Sequence, residues 1–188
     1  READRALKER NAQSKGAFMI TYDDIRHNSD VRALIEAGNQ ALGVLGFTDH
    51  GYAHVGLTAN ITGNILDKLG YEPRICELGR IAGYMHDIGN AINRSNHALS
   101  GALLAYDILR KLDMDMAEIT AVITAFGNHD EHTAAAVTPI TAALILADKS
   151  DVRRSRVRTA PENPRFDIHD RVNYAVVDAC LTVSGDQK

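Results

Sequence analysis

Residues 85–89 read Met-His-Asp-Ile-Gly, and this stretch decides how the rest of the chain is interpreted. It follows a run of residues whose spacing is typical of the inward face of a helix. The members of that stripe are Ile75, Leu78, Ala82 and His86. Neighbouring side chains on a helix point about 100° apart. His86 and Asp87 can therefore bind one metal only near a helix end, which Gly89 is expected to provide by letting the chain turn away.

The same pattern continues on either side of this stretch. Apolar residues at helical spacing predict helices at about 28–43, 51–69, 73–88, 96–111 and 114–127, and a sixth from 138 onward that continues to 158. Five of these helices place a His or Asp at, or just past, an apolar face. These residues are His54, His86, His97, His129 and Asp148. We therefore predict an all-α fold, a bundle of about six or more helices with polar side chains directed inward.

Several inward His and Asp residues in one core call for a partner, because burying polar and charged groups costs free energy. A single inward His is usually a satisfied core residue, but four His and two Asp are better explained by divalent metal ions. Cys76 and Cys180 lie far apart and give neither a disulfide framework nor a thiolate zinc site. The nitrogen and oxygen donors indicate iron, manganese, magnesium or zinc.

These residues, in this order, resemble the HD superfamily of metal-dependent phosphohydrolases over about residues 50–158. The family pattern is a His, then His–Asp, then a late Asp, and it corresponds here to His54, His86–Asp87 and Asp148. The resemblance implies that these four residues bind one metal. It also implies, as in the dinuclear HD families, a second metal bound by His97 and His129 and bridged by Asp87.

The motif is nearest to the HD-type diadenosine tetraphosphate hydrolases. The HD-GYP cyclic-dinucleotide phosphodiesterases are more distant, because no GYP tripeptide follows His129. Asn90 stands where related motifs often have a phosphate-binding Lys, and Arg94 could replace that contact. Guanidinium and ammonium groups suit phosphate. The substrate-binding candidates are Asn90, Arg94, Lys149, Arg154 and Arg158.

The function implied is cleavage of a phosphoester or phosphoanhydride bond in a nucleotide or related small phosphorylated metabolite, through a metal-activated hydroxide. Asp87 and Asp151 are the catalytic candidates, the latter for proton transfer or substrate contact from one turn beyond Asp148. Two alternatives stay open: a non-catalytic or regulatory HD sensor, and a cyclic-dinucleotide phosphodiesterase. His132 is an alternative metal ligand, and His50 is expected at a helix cap or at the mouth of the site.

Composition and the two ends of the chain complete the interpretation. The net charge of −4 argues against general nucleic-acid binding, and no apolar run approaches the length of a membrane span. We expect a cytoplasmic protein, and a homodimer is left open. The predicted organisation is an N-terminal extension at 1–27, the HD domain at 28–160, and a tail at 161–188. That tail either packs on the bundle or begins a small β element such as a strand or hairpin. Residues 174–183, rich in Val and small residues, predict a strand or a short helix.

Overall fold

The computed structural model describes residues 19–130, 134–158 and 166–184. These residues form eight α-helices: α1 (Tyr22–His27), α2 (Ser29–Leu45), α3 (Tyr52–Lys68), α4 (Pro73–Met85), α5 (His97–Lys111), α6 (Met116–Gly127), α7 (Pro139–Ser150) and α8 (Ile168–Ala175). Two 3₁₀ turns lie at Ile88–Ala91 and Arg154–Arg156. The all-α prediction is confirmed. The three described ranges contain no strand, so 174–184 forms neither the strand nor the hairpin considered above.

The consecutive helices α3 and α4 pack together most extensively, and α7 lies against both. Helix α5 packs on α6, and the first 3₁₀ turn is held between α2 and α5. The centre is filled by fully buried apolar side chains, which include Leu66, Ile81, Met85, Ile119, Phe126 and Leu144. Close packing of this kind fixes the helix ends that surround the polar centre.

Helix α4 ends at Met85, so His86 caps it and Asp87 begins the following turn. The helix end expected beside the His–Asp pair is therefore present. Gly89 does not have the positive φ that a glycine ending a helix usually adopts. Among the described glycines, only Gly46 and Gly70 have it. A Cβ on Gly89 would lie 1.9 Å from the carbonyl oxygen of His97. Glycine is required here because the 3₁₀ turn contacts the backbone of α5 directly.

Helix α7 is shorter than predicted. It ends at Ser150, and Asp151 leaves the helix with φ −78° and ψ 76°. The Asp151 carboxylate binds His54 and Arg153. Side chains two positions apart do not face each other on a helix, so the contact with Arg153 requires that the helix has ended. The expectation that a helix to 158 places Asp148, Asp151, Arg154 and Arg158 on one side was therefore wrong.

Two short helices lie outside the predicted six. Helix α1 falls within the predicted extension at 1–27 and is capped reciprocally by Thr21 and Asp24. Helix α8 falls within the predicted tail, and Asp167 and Asp170 form the same kind of capping box. Over the described ranges, the structure contains no helix with the length and apolarity that crossing a membrane requires.

Candidate metal centre

The six predicted metal ligands come together where several helices begin or end. His54 lies in the first turn of α3, and His86 and Asp87 follow α4. His97 is the first residue of α5, His129 lies just past α6, and Asp148 is in the last turn of α7. The four histidines and Asp87 are buried, and the Asp148 side chain keeps 14% of its exposure. Each helix thus delivers one or two donors to a shared, largely buried centre.

Each of the four histidines directs its Nε2 atom toward the centre. The Nε2 atoms of His54 and His86 are 3.3 Å apart, as are those of His97 and His129. Their Nδ1 atoms face oxygen acceptors, at 2.7–3.1 Å. These acceptors are a carboxylate oxygen of Asp151 for His54, and the carbonyl oxygens of Gly83, Arg94 and Phe126 for His86, His97 and His129.

A carbonyl oxygen cannot donate, so the Nδ1 atom facing it must bear the proton. In a neutral imidazole, Nε2 is then left with a lone pair. Lone pairs that face each other at hydrogen-bond distance repel unless a proton or a cation lies between them. This arrangement of tautomers is the one that metal-binding histidines adopt when an outer partner holds Nδ1.

The Asp87 carboxylate stands between the two histidine pairs. Its Oδ1 atom lies 3.5 Å from Nε2 of His97, and its Oδ2 atom lies 3.2 Å from Nε2 of His86 and 3.5 Å from that of His54. Asn90 Nδ2 donates to Oδ1 at 2.9 Å and to the Asp87 carbonyl oxygen at 3.0 Å. Buried Oδ2 has no hydrogen bond of good geometry to any described residue. A buried oxygen of this kind suits a metal ligand.

Two sets of donors are compact enough to hold a metal ion. One set is His54, His86 and Asp148, and the other is His86, Asp87 and His129. Within each set all ligand atoms lie within 4.8 Å of one another. His97 adjoins the second set through its contacts with Asp87 and His129. The two sets share His86, and the described residues could therefore hold a metal ion. Imidazole and carboxylate donors fit the metals expected from the sequence.

The pKa values divide the four histidines into two pairs. Burial opposes protonation of His54 and His86, but hydrogen bonds and charges from neighbouring carboxylates raise their pKa values to about 9 and about 10. Burial lowers the pKa of His129 to about 4, and it lowers that of His97. Burial also opposes ionisation of Asp87, but His86 and His54 hold its pKa well below its usual range. Without a metal ion, protons on His54 and His86 thus balance the carboxylates, and a bound cation would have to displace them.

Asp151 lies behind His54 and takes no part in the donor sets. Its buried carboxylate accepts from Nδ1 of His54 at 2.8 Å and from Nε of Arg153 at 2.5 Å. Arg156 donates to the Asp151 carbonyl oxygen and, through Nε, to the carbonyl oxygen of Asp49. This geometry indicates that Asp151 orients His54, and that direct proton transfer to substrate is less suited to it.

A cavity of about 550 Å³ opens in front of the centre. Asp87, His97, His129 and Asp148 form part of its lining. Two basic residues lie beside them, Arg94 and Lys149. The Arg94 guanidinium group lies over the Phe47 ring and against the His97 ring. Nζ of Lys149 is 3.1 Å from Oδ2 of Asp148. This volume is within the range of small-molecule sites in proteins.

Three of the five predicted substrate contacts lie elsewhere, because Asn90, Arg154 and Arg158 are not on the cavity wall. Asn90 is buried under Asp87, which it positions. Arg154 donates to the carbonyl oxygen of Tyr174, and its guanidinium group lies over the Tyr174 ring. Arg158 binds Asn39 and Asp49. The early end of α7 is the reason that these two arginines turn away from the cavity.

The sequence analysis did not identify five polar residues of the cavity wall. Four of them lie in or beside α8, and one lies just past α6. They are Asp130, Asp167, His169, Asp170 and Asn173. The available signal was the spacing of Asp167 and Asp170, which is typical of a helix N-terminus. His50 lies in the cavity wall with Nδ1 2.7 Å from the carbonyl oxygen of Thr48. His132, the alternative ligand, is outside the described residues.

Comparison with known proteins identifies one similar chain. An uncharacterized protein of Methanocaldococcus jannaschii, MJ1020, is 28% identical over 196 aligned residues, which cover 93% of this chain and 75% of that protein. No protein-family model matches the chain. No solved structure matches it either.

Proposed function

We propose that the protein is a metal-dependent phosphohydrolase that cleaves a phosphoester or phosphoanhydride bond in a nucleotide or related small phosphorylated metabolite. The observation that supports this most is the convergence of four Nε2 atoms whose Nδ1 atoms are all held by oxygen acceptors. Four histidines pre-set in this way, around two carboxylates, are best explained by divalent cations. The order of the ligands along the chain, similar to that of the HD superfamily, supports hydrolysis of phosphate compounds.

Divalent cations bound at such a centre lower the pKa of a water molecule and neutralise charge on phosphoryl oxygens. His54, His86 and Asp148 would hold one ion, and His97 with His129 the other. Asp87 would contribute one carboxylate oxygen to each. Arg94 and Lys149, beside the centre in the cavity wall, would bind and orient the phosphoryl group.

Turnover of bis-p-nitrophenyl phosphate, with and without Mn²⁺, tests the proposal. We expect release of p-nitrophenol that requires the metal and falls more than about 100-fold in His86→Ala and Asp87→Ala, since ligands contribute more than the outer partners of a metal site. Asp178→Ala removes an exposed carboxylate far along the tail and is the control. Circular dichroism would show that each variant is folded. An unchanged rate in either ligand variant would contradict the proposal, and so would metal-independent turnover.

The same measurement distinguishes the proposed enzyme from a metal-binding sensor without activity. It would bind Mn²⁺ with loss of binding in His86→Ala but would turn over none of the phosphate compounds offered. Nucleotides, dinucleoside polyphosphates and cyclic dinucleotides would then be screened, with the products identified by chromatography. This screen also separates the cyclic-dinucleotide phosphodiesterase from the other subclasses.

A further inference from the structure

The cavity has a second wall, chemically different from the metal centre. It is formed by α8, by the residue that caps it, and by a residue just past α6. The side chains of this acidic wall are Asp130, Asp167, His169, Asp170 and Asn173. Three of the five are carboxylates, so a substrate bound at the metal centre would extend toward negative charge.

Asp170 has an unused hydrogen-bonding capacity. It is only 2% exposed, and its Oδ2 atom accepts from the backbone N–H of Asp167. Its Oδ1 atom accepts no hydrogen bond from any residue in the described ranges. The neighbouring Asn173 is satisfied, because it accepts from the backbone N–H of Arg153 and donates to the carbonyl oxygen of His169. A ligand with an N–H or O–H group would supply the donor that Asp170 lacks.

The cations of the cavity lie at the metal centre or are engaged elsewhere. Lys149 pairs with Asp148, and Arg94 lies against His97 and Phe47. Arg156 is buried, and its donors serve the Asp49 and Asp151 carbonyl oxygens. Positive charge is therefore available where one phosphoryl group would bind, whereas the acidic wall would repel further phosphates.

We propose, on the basis of the proposed function, that the substrate is a monophosphate ester whose organic part is rich in N–H or O–H donors, such as a nucleoside monophosphate. The phosphate binds at the metal centre, and the acidic wall accepts hydrogen bonds from the organic part. Water forms the new bond to phosphorus and the bond from phosphorus to the ester oxygen breaks. The alcohol leaves with the proton given up by water, and inorganic phosphate is the second product.

Similarity to the diadenosine tetraphosphate hydrolases would favour substrates with several phosphates, whereas the acidic wall favours substrates with one. Turnover of AMP, ADP, ATP and diadenosine tetraphosphate by the Mn²⁺-loaded protein tests the proposal. The nucleotide products are separated by chromatography, because cleavage of diadenosine tetraphosphate between its phosphates releases no inorganic phosphate. We expect kcat/KM for AMP to exceed that for ATP by about tenfold or more, since like charges disfavour the wrong ligand. The double variant Asp167→Asn, Asp170→Asn should reduce this ratio at least about threefold. The exposed control Asp178→Asn should leave the ratio unchanged.

Asp167 and Asp170 also cap α8, so Asp130→Asn gives a second test of the same charge effect without touching that helix. A lower ratio of AMP to ATP in this variant supports the proposal. Equal use of AMP and ATP by the unmodified protein would overturn it, and so would a ratio that none of the wall variants changes. Turnover of p-nitrophenyl phosphate, a monophosphate ester whose organic part has no N–H or O–H donor, reports on the proposed function separately. If that substrate is hydrolysed but the ratio does not follow the wall, only the substrate class is wrong.

Discussion

The Nδ1 atom of His54 lies 2.8 Å from Oδ2 of Asp151, and neither side chain has any exposure. The two residues are 97 positions apart, so this contact joins the start of α3 to the end of α7. Arg153 and Arg156 hold Asp151 from the other side. His54 is thereby fixed with Nε2 directed at the centre, and a chain of buried polar groups extends from the candidate metal ligands to the segment that follows α7.

Removing the charge of Asp151 should weaken metal binding without removing a ligand. We expect Asp151→Asn to lower Mn²⁺ affinity about 10–100-fold, because an amide can donate to Nδ1 of His54 and favour the wrong tautomer. Titration calorimetry of the metal-free protein measures this directly. Asp178→Asn is the matched control at an exposed carboxylate. Wild-type affinity in Asp151→Asn would show that this contact does not orient His54.

Asn90 should affect the number of metals bound more than the fold. Its Nδ2 atom fixes the Asp87 carboxylate so that Oδ1 faces His97 and Oδ2 faces His86. We expect Asn90→Leu to weaken the second metal by about tenfold or more, because Asp87 can then rotate. Electron paramagnetic resonance of the Mn²⁺-loaded protein distinguishes coupled pairs of ions from single ions. Asn64→Leu, at an exposed amide on α3, is the control. An unaltered proportion of coupled ions would contradict this role.

The stability of the metal-free protein should decrease between about pH 7 and pH 8.5. The folded protein raises the pKa of His54 to about 9 and that of His86 to about 10, whereas unfolded His titrates near 6.5. In this window the folded state binds more protons than the unfolded state, so unfolding becomes easier as pH rises. Metal ions must displace those protons, so the stabilisation by Mn²⁺ should increase over the same window. Urea midpoints with EDTA and with Mn²⁺ measure both effects. A metal-free protein that gains stability with pH would exclude this protonation pattern.

A methyl group at Gly89 should disturb the site, whereas one at Gly56 should not. The Cβ of Gly89→Ala would meet backbone atoms of His97 and Gly101 at 1.9 and 2.6 Å. We expect a loss of at least about 1–3 kcal/mol in the free energy of unfolding, with weaker metal binding. In α3, a Cβ on Gly56 meets nothing within 4 Å. Gly56→Ala should gain about 0.5–1 kcal/mol. Thermal unfolding compares the two, and equal stability would contradict the close approach at Gly89.

The fold class and the positions of the inward His and Asp follow from helical periodicity. His54 and Asp148 continue apolar stripes, so the helical repeat itself places them on the buried side. The geometry between helices is not encoded in that repeat. Asp151 falls one turn beyond Asp148, and local sequence favours a longer helix. Asp151 instead leaves the helix, and its carboxylate contacts His54 in α3 and Arg153 beyond the end of α7.

The wall formed by α8 was missed for a different reason. Pro161 and Pro164 interrupt the helical pattern, and the Val-rich stretch 174–183 suggested a strand or a short helix that begins later in the chain than α8 does. The capping pair Asp167 and Asp170 was the local signal for a helix, but eight residues give only two turns of periodicity. Arg154 and Arg158 were misplaced because their position depends on where α7 ends. The activity itself stays a prediction from the ligand pattern.

Anomalous diffraction from crystals of the Mn²⁺-loaded protein tests the metal centre most directly. We predict two manganese peaks, one within bonding distance of His54, His86 and Asp148, and one within bonding distance of His97 and His129. The two carboxylate oxygens of Asp87 should each lie beside one peak. A single peak at the first set would reduce the centre to one ion. No peak among these side chains, in crystals that hold manganese elsewhere, would contradict the metal centre altogether.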